Sequence, residues 1–311
     1  MRIIVLDGFA ANPGDISWDK LKALGDVTVY DRTQESEILA RAENAEAILT
    51  NKCPLRAKTI QKLPSLKYIG VLATGYNIVD TEEAKRRGIV VTNIPAYSTE
   101  SVAQHVFALI LEIAVHAGAH SAACLSGRWT NSRDFCFWDY PLTEICGKTL
   151  GIIGYGAIGK RVGTIAEAFG LRVIPYSPSM KKPENLDRII EESDIISLNC
   201  PLKADNAGMI SGKTIARMKT GVWIINTARG GLAVDSDVAD ALRSGKIGAY
   251  AADVATREPI NGDNPLLSAP NVILTPHIAW APFEARVRLM NIAVQNLRSF
   301  MDGNAIHQVN A

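Results

Sequence analysis

Leu150-Gly151-Ile152-Ile153-Gly154-Tyr155-Gly156-Ala157-Ile158-Gly159 is an apolar, β-branched run that ends in Gly-x-Gly-x-x-Gly. The run reads as a buried strand, and the glycines as the turn that carries it into a helix. Gly154 permits the tight turn. Gly156 lets the backbone approach a pyrophosphate with no Cβ in the way, and Gly159 lets the helix pack closely on the strand. Backbone N–H groups along the loop, those of Tyr155, Ala157 and Ile158 included, and the helix dipole then favour phosphate charge. A helical pattern over 158–169 follows, and a second strand ends near Tyr176. This context favours a ligand site over a plain glycine turn.

On either side of the loop, short β-branched runs alternate with helical patterns. Before it, 3–6, 27–30, 47–49, 68–72 and 89–91 read as strands, with helical spacing at 18–24 and 36–42. From the loop onward, 150–153, 172–176, 195–198, 223–226, 250–254 and 272–274 form a second series. Alternation of this kind predicts parallel sheets joined by right-handed crossovers. The expected fold is α/β, with two doubly wound parallel-sheet domains. One is a smaller, flavodoxin-like substrate domain and the other a Rossmann-type cofactor domain of six strands, with a cleft between them. An amphipathic segment over 98–116 (Val102, Val106, Leu109, Ile110, Ile113) links the two series, with Ser98 or Thr99 available to cap it. A final one over 283–300 is expected to return to the first domain. The substrate domain is then discontinuous, 1–97 with 286–311, and the cofactor domain spans 98–285.

The 311 residues carry 33 Lys and Arg against 32 Asp and Glu, a formal net charge of +1. No basic run is present to track a nucleic acid. Apolar residues make up 47% and charged residues 21%, a soluble globular balance. The greasiest stretch, 106–115, is broken by Glu112 and falls short of the ~20 residues a membrane span needs. The N-terminal run Ile3–Leu6 is too short for a signal peptide. Cys53, Cys124, Cys136, Cys146 and Cys200 form no Cys-x-x-Cys pair and no disulfide framework. A cytoplasmic protein with no nucleic-acid or membrane partner is expected.

An NAD site places an Asp or Glu about 20 residues after the glycine loop, on the adenosine ribose. Residues 171–183 contain no acid; Ser177 occupies that place, with Ser179, Lys181 and Lys182 behind it. Losing the carboxylate removes a repulsion against a 2′-phosphate, and hydroxyls with lysines can bind one. Ser177 and water serving the ribose of NAD is the alternative. The cofactor is therefore NAD(H) or NADP(H), with a lean to NADP(H) being accepted. Cys200 and Pro201, Thr227 and Ala228, and Ala279 stand just past strand ends and are assigned to the same ligand.

Three further segments leave strands with chemically pointed residues: Asn226-Thr227-Ala228-Arg229-Gly230-Gly231, Asp253-Val254-Ala255-Thr256-Arg257-Glu258-Pro259 and Thr275-Pro276-His277-Ile278-Ala279-Trp280. Ligands of open α/β sheets bind beyond the carboxyl ends of the strands, so these groups can converge. A planar guanidinium, Arg229, suits a carboxylate and a polarised ketone. An imidazole, His277, suits proton donation near neutrality. A carboxylate, Glu258, suits orienting that imidazole and favouring its protonated form. Singly, each has an ordinary structural explanation; together, after a glycine loop, they read as a site for hydride transfer to a 2-oxo acid.

These motifs, with Ala73-Thr74-Gly75-Tyr76-Asn77 and Ser101-Val102-Ala103-Gln104, strongly resemble the D-isomer-specific 2-hydroxyacid dehydrogenases over nearly the full length. The glycerate dehydrogenase/hydroxypyruvate reductase branch is the most similar. The resemblance implies that Arg229 binds substrate, that His277 is the acid/base and that Glu258 is its partner. It places Asp253 near the nicotinamide carboxamide, and the backbone around Ala73, Thr74 and Gly75 at the substrate carboxylate. The implied reaction is reduction of hydroxypyruvate or glyoxylate to D-glycerate or glycolate; a D-lactate-type enzyme remains an alternative. An NAD(H)-sensing corepressor-like protein on the same scaffold is an alternative of another class. Two departures stand out: Ser177 at the ribose position, and Gln104 where the family often has Glu.

Residues 127–141 are unusually aromatic for a chain that is 6% aromatic. In the family this region packs across a dimer, so a homodimer is expected. Trp138 is the candidate to approach the partner's substrate, with plain interface packing as the alternative. His116 and His120 have metal-compatible spacing but no acidic or Cys partner nearby, so no metal is expected.

Overall fold

The computed structural model describes residues 1–180 and 182–311. The chain divides into two compact units: Met1–Ser98 with Ala281–Ala311, and Thr99–Trp280. Each is built on one parallel sheet.

In the first unit β1 (Arg2–Val5), β2 (Asp26–Val29), β3 (Ala47–Thr50), β4 (Tyr68–Val71) and β5 (Val90–Thr92) pair in the order β2-β1-β3-β4-β5. Every ladder is parallel. The inner strands are buried on both faces, which is why they read as continuous apolar runs and not as alternation. Ile4, Ile48, Ile69 and Val91 share one core, with Leu55 and Ile60 packed into it. The long C-terminal helix Phe283–Met301 closes this unit: the Phe300 and Tyr68 rings lie 5.0 Å apart. Arg286 grips the Asp15 carboxylate with two N–H groups, at 2.7 and 2.6 Å. The Arg286 guanidinium holds that carboxyl below the usual carboxylate range.

In the second unit β6 (Thr149–Ile153), β7 (Arg172–Tyr176), β8 (Ile195–Leu198), β9 (Val222–Asn226), β10 (Ile247–Ala252) and β11 (Val272–Leu274) pair in the order β11-β10-β9-β8-β6-β7. Its longer helices are α1 (Thr99–Val115), α2 (Ala117–Leu125), α3 (Ala157–Ala168), α4 (Asn185–Glu192) and α5 (Asp235–Arg243). The six expected strands are present, but their order differs from the usual dinucleotide arrangement, which adds a further strand beyond β7. Residues 177–184 contain two prolines and no β-branched residue, and the described ones among them form no strand before α4.

β6 lies between β7 and β8, so the crossovers β6 to β7 and β7 to β8 run in opposite directions across the sheet. The crevice at its carboxyl end is therefore the natural ligand site. The apolar stripe of α1 (Val106, Leu109, Ile110, Ile113) is buried in the core of this unit. Among the described residues, no single helix is long and apolar enough to cross a membrane.

Candidate active site

The glycine loop is shaped by its neighbours. Gly154 has φ +101°, and a Cβ there would come within 2.5 Å of the Asn199–Cys200 peptide. At Gly159 a Cβ would strike the Gly154 carbonyl, so only glycine lets α3 start this close to β6. Gly156 differs: a Cβ there would meet nothing within 4 Å. Among the described residues nothing demands glycine at that place; an approaching phosphate would. The N–H groups of Gly154 and Tyr155 donate to the Tyr176 carbonyl at 2.8 and 3.1 Å. The donors left for a phosphate are thus those of the first turn of α3, from Ala157 and Ile158 onward. The Tyr155 ring leans across Gly163 of that helix.

At the end of β7, Ser177 is half-buried and its hydroxyl lies 3.0 Å from that of Ser179. Lys181, counted with them above, lies outside the described residues. After β8, Asn206 ties the Cys200–Pro201 turn by donating to the Pro201 carbonyl at 2.9 Å. Burial pushes the Cys200 thiol up, and pushes that of Cys53 in the first unit up to about 12. Neither therefore supplies a thiolate near neutrality.

Asn226, fully buried at the end of β9, folds the next turn. Its Oδ1 accepts the Ala228 N–H at 3.1 Å, and its Nδ2 donates to the Arg229 carbonyl at 3.0 Å. A Cβ on Gly230 would fall on the Ala255 peptide, so glycine lets the Arg229 turn lie against the Asp253–Glu258 loop. Arg229 is exposed and spends one N–H on the Ala228 carbonyl at 2.7 Å. The Thr227 hydroxyl at the same strand end is buried with no partner among the described residues. That orphaned group, with the open space at Gly156, fits a dinucleotide lying along these strand ends.

The imidazole and the carboxylate do meet. His277 Nδ1 is 2.7 Å from Glu258 Oε2, while Glu258 Oε1 accepts the Ala255 N–H at 3.2 Å. An ionised carboxylate only accepts, so Nδ1 carries the hydrogen and Nε2 is the nitrogen left for proton exchange. His277 has φ +56°, a left-handed conformation that costs a non-glycine residue of order 1 kcal/mol or more and persists only where surroundings enforce it.

Asp253, 1% exposed, supplies that enforcement. Its Oδ1 accepts the Ile278 N–H at 2.8 Å and the Thr275 hydroxyl at 2.6 Å, and its Oδ2 accepts the Ala279 N–H at 2.8 Å. Three donors of the His277 loop therefore converge on one carboxylate. His105 Nε2, on α1, lies 2.9 Å from Thr275 Oγ1. The sequence pattern singles out neither His105 nor its link to Thr275, because the contact joins residues 170 apart.

Elsewhere, the Thr74 hydroxyl donates to the Ile94 carbonyl at 2.8 Å and the Thr74 carbonyl accepts from Asn93 Nδ2 at 2.7 Å, fixing the Ala73–Gly75 turn after β4. Trp138 is 64% exposed and Phe135 89%. Their segment is anchored by the Arg128–Asp139 ion pair and by the Trp129 indole donating to the Phe135 carbonyl. His116 stacks on Tyr140. Both nitrogens of His120 are engaged, Nδ1 with the His116 carbonyl and Nε2 with the Asp139 N–H.

A phosphate-ready turn at the reversal point of a parallel sheet, with an imidazole–carboxylate pair at neighbouring strand ends, defines a nicotinamide-dinucleotide oxidoreductase. The family model described as D-isomer specific 2-hydroxyacid dehydrogenase, NAD binding domain, matches residues 107–279. A protein of Blautia hydrogenotrophica named hydroxypyruvate reductase is 48% identical over the whole of both chains. Two solved structures share the fold. The NADPH-dependent glyoxylate/hydroxypyruvate reductase of Sinorhizobium meliloti, in complex with NADP and malonate, has TM-score 0.83 and 27% identity over 99% of this chain and 96% of that one. The D-lactate dehydrogenase of Aquifex aeolicus, complexed with NAD and lactic acid, has TM-score 0.82 and 29% identity over 100% and 99%. The chain belongs to the D-isomer-specific 2-hydroxyacid dehydrogenase family. It is an NAD(P)-dependent oxidoreductase of small 2-oxo and 2-hydroxy acids.

Proposed function

We propose that this enzyme reduces hydroxypyruvate to D-glycerate and glyoxylate to glycolate, accepting NADPH as well as NADH. The 2.7 Å His277–Glu258 contact carries the catalytic part of this reading. The relative named hydroxypyruvate reductase supports the choice of substrate. Bound NAD(P)H supplies the hydride. The first turn of α3 would hold the pyrophosphate and Ser177 the adenosine ribose, with the Cys200–Pro201, Thr227–Ala228 and Ala279 strand ends completing the cradle. Asp253 Oδ2, with one donor already, has a lone pair to spare for the nicotinamide carboxamide. The Arg229 fork takes the substrate carboxylate. His277 gives the Nε2 proton to the ketone oxygen, while Glu258 keeps Nδ1–H in place and offsets the charge on the ring.

A panel of 2-oxo acids assayed with both nucleotides tests this. The expected result is a kcat/KM for hydroxypyruvate at least ~10-fold above those for pyruvate and branched acids, with measurable turnover on NADPH. A preference for pyruvate would overturn the substrate, and strict use of NADH would overturn the reading of Ser177.

The enzyme is cytoplasmic and a homodimer in this reading. Leu125, Phe135 and Trp138, close together in the sequence of the second unit, are 87%, 89% and 64% exposed, apolar surface that a second copy would cover. Light scattering at micromolar concentration is expected to give twice the chain mass, and Phe135→Asp to give monomers. A wild-type monomer would refute the dimer.

A further inference from the structure

We infer that His105, on α1 and remote from the reacting atoms, is a positioning residue for His277, acting through Thr275 and Asp253. The inference rests on the assignment of His277 as the proton donor.

The direction of the hydrogen bonds can be worked out. Asp253 is buried and its two oxygens already take three donors, so it serves here as an acceptor. The Thr275 hydroxyl has a single hydrogen, and it is committed to Asp253 Oδ1 at 2.6 Å. Toward His105 Nε2, at 2.9 Å, the same oxygen can only accept. His105 therefore carries a hydrogen on Nε2 and donates. The result is a one-way chain, His105 to Thr275 to Asp253, and His105 Nε2 stands 3.6 Å from Asp253 Oδ1 itself.

The chain ends on the carboxylate that holds the Ile278 and Ala279 N–H groups. These follow directly on His277, whose φ of +56° needs such a hold. Thr275 also pins the near side of the loop: its N–H donates to the Ala252 carbonyl and its own carbonyl accepts the His277 N–H, both at 2.9 Å. Without a donor at position 105, the Thr275 hydroxyl is free to turn, Asp253 loses one of its anchors, and the loop carrying the imidazole loosens against Glu258. His105 is only 18% exposed, at the core end of the chain. Helix α1 thereby acts as the rigid wall from which the loop is hung, as supporting hydrogen bonds do for catalytic groups generally.

The test compares the full-length wild type with His105→Leu, His105→Gln and Thr275→Val. Displacing a catalytic group by about 1 Å costs on the order of 100-fold. His105→Leu is expected to lower kcat for hydroxypyruvate by roughly 10- to 100-fold, with its KM and the NADPH dissociation constant, read by fluorescence quenching, changed less than about 2-fold. His105→Gln, whose amide can place a donor near the same point, should recover most of kcat, and Thr275→Val should repeat the loss. Normal kcat in His105→Leu or Thr275→Val, or no rescue by glutamine, overturns the inference. So does a cofactor affinity that falls in step with kcat. If the leucine variant does not fold, the glutamine and valine variants decide alone. If the wild type turns over no 2-oxo acid, the functional reading fails on its own. The chain of donors is then judged by 15N–1H correlation of the His105 ring, where a hydrogen on Nε2 supports it and a bare Nε2 refutes it.

Discussion

Arg229→Ala is expected to cut kcat/KM for hydroxypyruvate by roughly 10²- to 10⁴-fold, about 3–5 kcal/mol, the usual consequence of leaving one partner of a desolvated, hydrogen-bonded charge pair alone. The side chain is poised for such a role. It is exposed at the carboxyl end of β9 with a single N–H spent, on the Ala228 carbonyl, and Asn226 and Gly230 fix its turn from below. A fork that binds a carboxylate with two parallel bonds is not replaced by an ammonium. Arg229→Lys should therefore recover only part of the loss. Dissociation constants for NADH and NADPH should move little, because the proposed phosphate donors are those of α3. Steady-state kinetics with a nucleotide titration separates the two effects. Near-normal efficiency in Arg229→Ala would remove this residue from the substrate site.

The parts of the fold that were legible in the sequence are those whose signal is composition. Ile3, Ile4 and Val5, or Ile195 and Ile196, are buried on both faces of a parallel sheet, so they appear as β-branched runs. β10 was harder. Its reading begins at residue 250, yet the strand starts at Ile247, because Gly248 and Ala249 break the run. Gly248 is small for a tertiary reason: a Cβ would come within 2.6 Å of the Gly221 carbonyl. The strand also ends early, before Asp253, whose carboxylate is drawn to the His277 loop.

The chemical motifs were legible for a similar reason: Gly154–Gly159, Arg229, Glu258 and His277 each lie in a loop that leaves the carboxyl end of a strand. What no local pattern contains is the support between loops. His105 looks like one of several polar positions in a largely apolar helix, and Gly230 like an ordinary turn glycine. Only the fold shows that one bonds to Thr275 and that the other lets two loops touch.

His277→Ala is expected to lower kcat for reduction by about 10³- to 10⁴-fold, near the upper range for a lost general acid, with substrate KM and nucleotide binding nearly unchanged. Hydride arriving at a ketone carbon leaves negative charge on oxygen, and without a donor that charge has no proton to meet. Glu258→Gln distinguishes the carboxylate's charge from its shape. The amide oxygen can still accept from Nδ1–H, so the ring keeps its orientation, but the protonated ring loses the negative neighbour now 2.7 Å away. The loss in Glu258→Gln should therefore be smaller than that in His277→Ala, on the order of 10- to 100-fold in kcat, with substrate KM and nucleotide binding nearly unchanged. Steady-state kinetics of the two variants side by side checks this. A glutamine variant as active as wild type would refute the electrostatic role of Glu258.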